Sequence, residues 1–161
     1  MYQIEIPVPS HIKKFLDIQY KNDTRISEKS FIGMLILQNL TGKLKFTGNR
    51  QEKKYPQTFT ITLSSHYFKK GAVIVDPKKI SWLVRLFDKL FFSELLRYVN
   101  TRLTQKVSAK QLLSQFLQKY EISEDELRLD SIYRRYKRYM DNGIRSFKAS
   151  NGGIGDNKRA S

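Results

Sequence analysis

The sequence predicts an α+β fold that is predominantly helical, on three observations. Two short segments alternate apolar and polar residues with the period of a strand: Ile4, Ile6 and Val8 near the N-terminus, and Phe59, Ile61 and Leu63 between Thr58, Thr60 and Thr62. A long stretch from Lys78 to about Arg102 carries apolar residues at helical spacing on an unusually wide face. The C-terminal third then holds two further amphipathic stretches, each preceded by a capping residue.

Each element has its own local reason. Pro7 lacks an amide proton, so the first strand belongs at an edge or ends there. Pro9 suits the first turn of a helix running from His11 to Tyr20, with Ile12, Phe15, Leu16 and Tyr20 inward. Asn22-Asp23 reads as a turn. Ser27 or Ser30 caps a second helix to about Leu40, stopped by Thr41-Gly42. Residues 42–57 read as a basic loop with a strand at Leu44 to Thr47. Ser64 to Lys70 reads as a helical turn stopped by Gly71, and Ala72 to Val75 as a short apolar segment.

Asp76-Pro77 is a strong helix start, an Asp cap followed by Pro at the first helical position. The breadth of the face that follows, with Trp82, Leu86 and Phe92 widening it, implies burial on two sides. It also leaves a homodimer through helix 78–102 open, with burial inside one chain preferred. Ser108 caps Ala109 to Tyr120, which turns Leu112, Leu113, Phe116 and Leu117 to one side. Ser123 and Glu126 have capping-box spacing, predicting a short helix to about Leu127. Asp130 caps a last helix, Ser131 to Asp141, that Asn142-Gly143 closes. The organisation expected is a mixed α/β core over 1–106 with the long helix 77–103, a helix-turn-helix-like unit over 107–142 packed on that core, and a flexible tail over 149–161.

Charge is the most informative part of the composition. The 161 residues carry 30 Lys and Arg against 15 Asp and Glu, net +15. Such an excess points to a polyanion, nucleic acid before an anionic membrane. It is also patterned. Glu121 to Asp130 has five acids and one Arg, whereas Ser131 to Ser161 has eight bases and two acids. There is no Cys, which excludes disulfides and thiolate metal sites, and only two His, His11 and His66. The N-terminus lacks the basic start and apolar run of a signal peptide. The most apolar stretch, Ile80 to Leu103, is broken by six charged residues, so no membrane span is expected.

In the last helix, Ile132, Tyr133, Tyr136 and Met140 fall within one arc. Arg134 and Arg138 fall opposite, flanked by Arg135 and Lys137, with Tyr139 at the edge and Arg145 further on. Arg pairs with the acceptors of guanine or clamps a phosphate, and Lys supplies a point charge. Ser131 at the helix start would add a phosphate site. A second basic cluster, Lys43, Lys45, Arg50, Lys53 and Lys54 with Lys69, Lys70, Lys78 and Lys79, would contact flanking phosphates. Phe46, Tyr55, Tyr67 and Phe68 are better explained as core than as stacking platforms. The competing explanation of the helix is a solvated basic face on an ordinary packed element.

No phosphate-binding loop, dinucleotide fingerprint or zinc-protease signature is present, so no cofactor, metal or catalytic residue is expected. Asp125, Glu126 and Asp130 read as caps and His66 as structural. The function expected is non-enzymatic nucleic-acid binding, most of all to duplex DNA, in regulation or replication. The alternative is a structural or virion-associated protein that binds nucleic acid or an acidic partner without specificity. The absence of Cys suits a reducing cytoplasm, the expected place.

The stretch from Phe116 to Tyr139, FLQKYEISEDELRLDSIYRRYKRY, resembles a segment that ends small uncharacterised proteins of Bacteroidetes phages and mobile elements. The N-terminal IPVPSHIKKFL and the order of strand then long helix are also similar, so the likeness spans most of residues 4–140. It implies a phage or mobile-element setting, hence the cytoplasm of a bacterial host with virion association as the alternative, and brings no activity with it. The basic helix is similar, over about ten residues, to recognition helices of phage middle-operon activators.

Overall fold

The computed structural model describes residues 2–20, 31–41, 55–66 and 77–151. The order is β1 (Tyr2–Val8), α1 (Ser10–Tyr20), α2 (Phe31–Thr41), β2 (Gln57–Leu63), α3 (Pro77–Asn100), α4 (Ala109–Lys119) and α5 (Leu129–Asn151). It is an α+β arrangement, mostly helical, as the periodicities predict. The turn at Asn22-Asp23, the loop and strand of 42–54, the segment 72–75 and the tail from 152 lie outside the described residues, and so do Lys43, Lys45, Arg50, Lys53, Lys54, Lys69 and Lys70.

β1 and β2 pair antiparallel, Ile4 opposite Ile61 and Ile6 opposite Phe59. The period of two sends Ile4, Ile6, Val8, Phe59, Ile61 and Leu63 to the same buried face. In a two-stranded sheet both strands are edges, and Pro7 sits opposite Thr58 near the end of the ladder, where its missing donor costs least. The Pro9 carbonyl accepts from the Lys13 amide at 3.0 Å, so Pro9 occupies the cap position of α1.

α3 is the axis of the molecule. Leu83, Phe87, Phe91, Leu95 and Val99 are fully buried, and Trp82, Leu86, Leu90 and Phe92 pack half-buried against the same core. Exposure is confined mainly to Arg85, Lys89, Ser93 and Arg97, a row at four-residue spacing. β1, α1, α2 and α4 all pack on α3, which accounts for its wide apolar face within one chain. Edge-on rings tie α1 and α4 to it, Phe15 to Phe91 at 5.4 Å and Phe91 to Phe116 at 5.6 Å, and Phe59 of β2 meets Phe87 at 5.8 Å. Lys79, expected in the second basic cluster, is instead buried, and its ammonium donates to the Leu40 carbonyl at 2.7 Å, so a cation closes the C-terminus of α2.

Three expectations at the C-terminal end are corrected. Ser123 to Leu127 forms turns, not a helix. The Ser123 amide donates to the Glu126 carboxylate at 2.9 Å, half of a capping box, but the Ser123 hydroxyl bonds that same carboxylate instead of an amide. α5 starts at Leu129, not Ser131. The Arg128 carbonyl accepts from the Ile132 amide at 3.2 Å, and Glu124, five residues upstream, accepts from the Leu129 amide. Asp130 therefore lies inside the first turn rather than capping it. Finally, Asn142-Gly143 does not close the helix, which runs to Asn151, so 149–151 are helical rather than tail.

Candidate nucleic-acid interface

The seating of α5 follows from its periodicity. Ile132 and Tyr136 are buried, Tyr133 and Met140 half-buried, and Arg134, Lys137 and Arg138 exposed. Arg134, Lys137 and Arg138 stand at spacings of three and four, so they share one outer face. Among the described residues none of the three makes an ion pair. The Arg138 guanidinium lies back along the helix, donating to the Arg134 carbonyl at 3.4 Å. The Lys137 ammonium sits 5.1 Å from the centre of the Tyr133 ring. Because α5 continues past Gly143, position 145 falls two turns beyond Arg138 at the same register. Asp141 is exposed on this face and subtracts from its charge.

Arg135, expected among the interface cations, makes contacts that hold α5 to α3. Its guanidinium grips the Asp88 carboxylate of α3 with two bonds, 2.9 and 2.7 Å, and lies 4.1 Å over the Phe92 ring. Both partners keep over a third of their surface, so the ion pair contributes about 1 kcal/mol or less, and its value is geometric. Tyr139 packs edge-on against Phe92 at 5.8 Å and remains 52% exposed, so its ring is both anchored and open.

Ser131 is also corrected. Its amide is engaged with the Arg128 carbonyl at 3.1 Å. The free amide at the start of α5 already faces the Glu124 carboxylate, and Asp130 adds a second negative charge. The protein's own acids thus fill the place a phosphate would take. Asp130 is further held by Lys110 of α4 at 2.9 Å, and that hydrogen bond keeps its carboxyl below the usual range.

The connector between α4 and α5 spans 120–128, longer than the three or four residues of a helix-turn-helix turn. It is fixed in two ways. Glu121 adopts a left-handed conformation, φ 55°, and closes α4: the Ile122 amide reaches the Leu117 carbonyl at 2.9 Å and the Glu121 amide the Gln118 carbonyl at 3.0 Å. From α1, the Lys14 ammonium donates to the Glu121 carbonyl at 2.6 Å and to Glu126 at 2.7 Å. Burial raises the cost of ionising Glu126, but Lys14 and Ser123 outweigh it and hold the carboxyl below its ordinary value.

Sequence reasoning missed one cationic group. Arg97, Arg102 and Lys119 gather where α3 and α4 end, around Tyr98 and Tyr120. Their sequence separation hides the convergence, although each stands beside an aromatic or acidic residue at helical spacing. Among the described residues no group of three His, Asp or Glu side chains is placed to hold a metal ion, and no helix is long and apolar enough to cross a membrane. No protein-family model, curated protein or solved structure matches the chain.

Proposed function

We propose that the chain is a non-enzymatic nucleic-acid-binding protein that lays the outer face of α5 on duplex DNA, in the setting of a phage or mobile element. The observation that carries this is the division of labour among four neighbouring cations. Arg135 is consumed in fixing α5 to α3, while Arg134, Lys137 and Arg138 face outward with no ion pair among the described residues. A helix held by Ile132 and Tyr136 on one side presents its cations with little backbone entropy left to lose on binding. The net charge of +15 supplies long-range attraction to a polyanion. Arg145 and the 43–54 cluster would extend the contact to flanking phosphates.

Fluorescence anisotropy with labelled duplex DNA, single-stranded DNA and RNA at two salt concentrations tests it. Replacing Arg134 and Arg138 by Ala should cost about 1–3 kcal/mol each if they read bases. The triple variant with Lys137→Ala should lower the salt slope by about three. Wild-type binding by a folded triple variant sinks the reading. The second reading, sequence-independent packaging, is favoured by the separate exposed row Arg85, Lys89 and Arg97 on α3. Selection from a random duplex pool separates the two: an enriched sequence supports a reader, and salt-sensitive binding without enrichment supports packaging.

A further inference from the structure

We infer that the chain has a second nucleic-acid contact, separate from α5, at the end of the molecule where α3 and α4 terminate: a phosphate seat made by Arg97, Arg102 and Lys119 around Tyr98. The inference takes its class of partner from the nucleic-acid reading above and its location from a different set of residues.

Arg102 is held over Tyr98, its guanidinium carbon 4.0 Å from the centre of the ring and one nitrogen donating to the Tyr98 carbonyl at 3.4 Å. Lys119 arrives from α4, its ammonium 5.8 Å from the same ring and 5.0 Å from that of Tyr120. Arg97 is oriented by two bonds to Glu94, 2.8 and 2.6 Å. The rings do not shift freely. Tyr98 packs on Phe116 at 5.5 Å, and the Tyr120 hydroxyl meets Gln19 of α1 at 3.2 Å.

Helix C-termini alone account for part of this, since a cation there complements the dipole. They do not account for the number. Arg102 and Lys119 both lie against one ring, so their charges repel. Glu94 is the acid among them, and its carboxyl is held below the usual range first by the Arg97 hydrogen bond and further by the charges of Lys119 and Arg102. Three cations thus meet one carboxylate that Arg97 already occupies. A phosphodiester relieves the excess: Arg102 offers a planar donor and Lys119 a point charge, the two forms in which proteins bind phosphate.

The seat and the α5 face draw on different residues of α3, although the Tyr136 hydroxyl of α5 also reaches Asn100 near the end of α3 at 3.5 Å. Tyr98 turns to Phe116 of α4, whereas Asp88 and Phe92 turn to Arg135 of α5. One chain would therefore hold two segments of nucleic acid, or one strand that wraps the end of α3.

The experiment uses the full chain and a labelled random-sequence duplex, with affinity measured across a salt series for four proteins. For Arg102→Ala with Lys119→Ala, the salt slope should fall by about two while α5 is intact. For Glu94→Gln, binding should tighten severalfold, because the local acid is gone. The α5 triple variant should lose its own share and retain this one. A purely capping role predicts a lower melting temperature for the double variant with an unchanged salt slope, and no tightening for Glu94→Gln; that pair of results overturns the inference while leaving the α5 reading standing. Loss in the double variant with wild-type binding by the α5 triple variant overturns the α5 reading and upholds this one. No binding by any of the four proteins overturns both.

Discussion

His11 sits where three charged elements meet, edge-on to Phe91 at 5.5 Å. Burial is the largest influence and pushes its pKa below the usual value. Asp88 of α3 and Glu126 of the connector pull it up, and Arg135 of α5 adds to the lowering. A lowered folded value means the unfolded chain binds the proton more readily. The stabilisation is present above about pH 6.5, the unfolded value, and is lost as pH falls through the folded one. Urea unfolding across mildly acidic pH should show stability falling toward acid, with a slope from this group of at most about 1.4 kcal/mol per pH unit. His11→Phe keeps a ring against Phe91 and should flatten that slope; an unchanged slope would assign it to other groups. At this scale the site was only half legible. Periodicity separates Ile132 and Tyr136 from Arg134 and Arg138, because both facts live within one helix. Arg135 falls at the border of the two faces, and its fate depends on Asp88, which lies 47 residues away in sequence.

Helix ends were the least legible elements. The usual stop signal is a glycine, and Glu121 performs that task at φ 55° because Ile122 and Leu117 are both buried against the core and draw the chain into the turn. The left-handed conformation costs a residue with a Cβ about 1 kcal/mol, which tertiary contacts offset here. The reverse holds at Asn142-Gly143, a stop signal by composition that α5 passes through. Nothing lies within 4 Å of a Cβ placed on Gly143. Gly143→Ala should therefore raise the helix content seen by far-UV circular dichroism and stabilise α5 by up to about 1 kcal/mol. A helix that ended there in a left-handed glycine would instead lose stability on the same substitution. The sign of the change in the urea midpoint decides between them. The strands and the start of α3 were legible because their signals, period-two alternation and Pro77, act on neighbouring residues.

Across the described residues, the buried apolar side chains form one cluster, from Ile4 in β1 to Tyr136 in α5. The expected division into a core over 1–106 and a unit over 107–142 packed on it describes the order along the chain, whereas the cluster joins both parts. Sequence periodicity marks which faces are apolar but not which of them meet. The contacts that unite the parts are all long-range: Phe15 to Tyr120 at 5.2 Å, Lys14 to Glu126 at 2.7 Å, Arg135 to Asp88 at 2.7 Å. Chain connectivity sets none of them. Trp82, the only tryptophan, lies on α3, while far-UV circular dichroism is dominated by all the helices, including the 23 residues of α5. Urea unfolding followed by tryptophan fluorescence and by circular dichroism should give coincident transitions. Lys14→Met removes the ammonium that ties α1 to the connector and leaves Glu126 without that partner, so it should lower the midpoint seen by both probes together. Circular dichroism that changes before fluorescence would show α4 and α5 unfolding on their own. α5 would then be a tethered arm, and the low entropy cost assigned to its cations on binding would no longer hold.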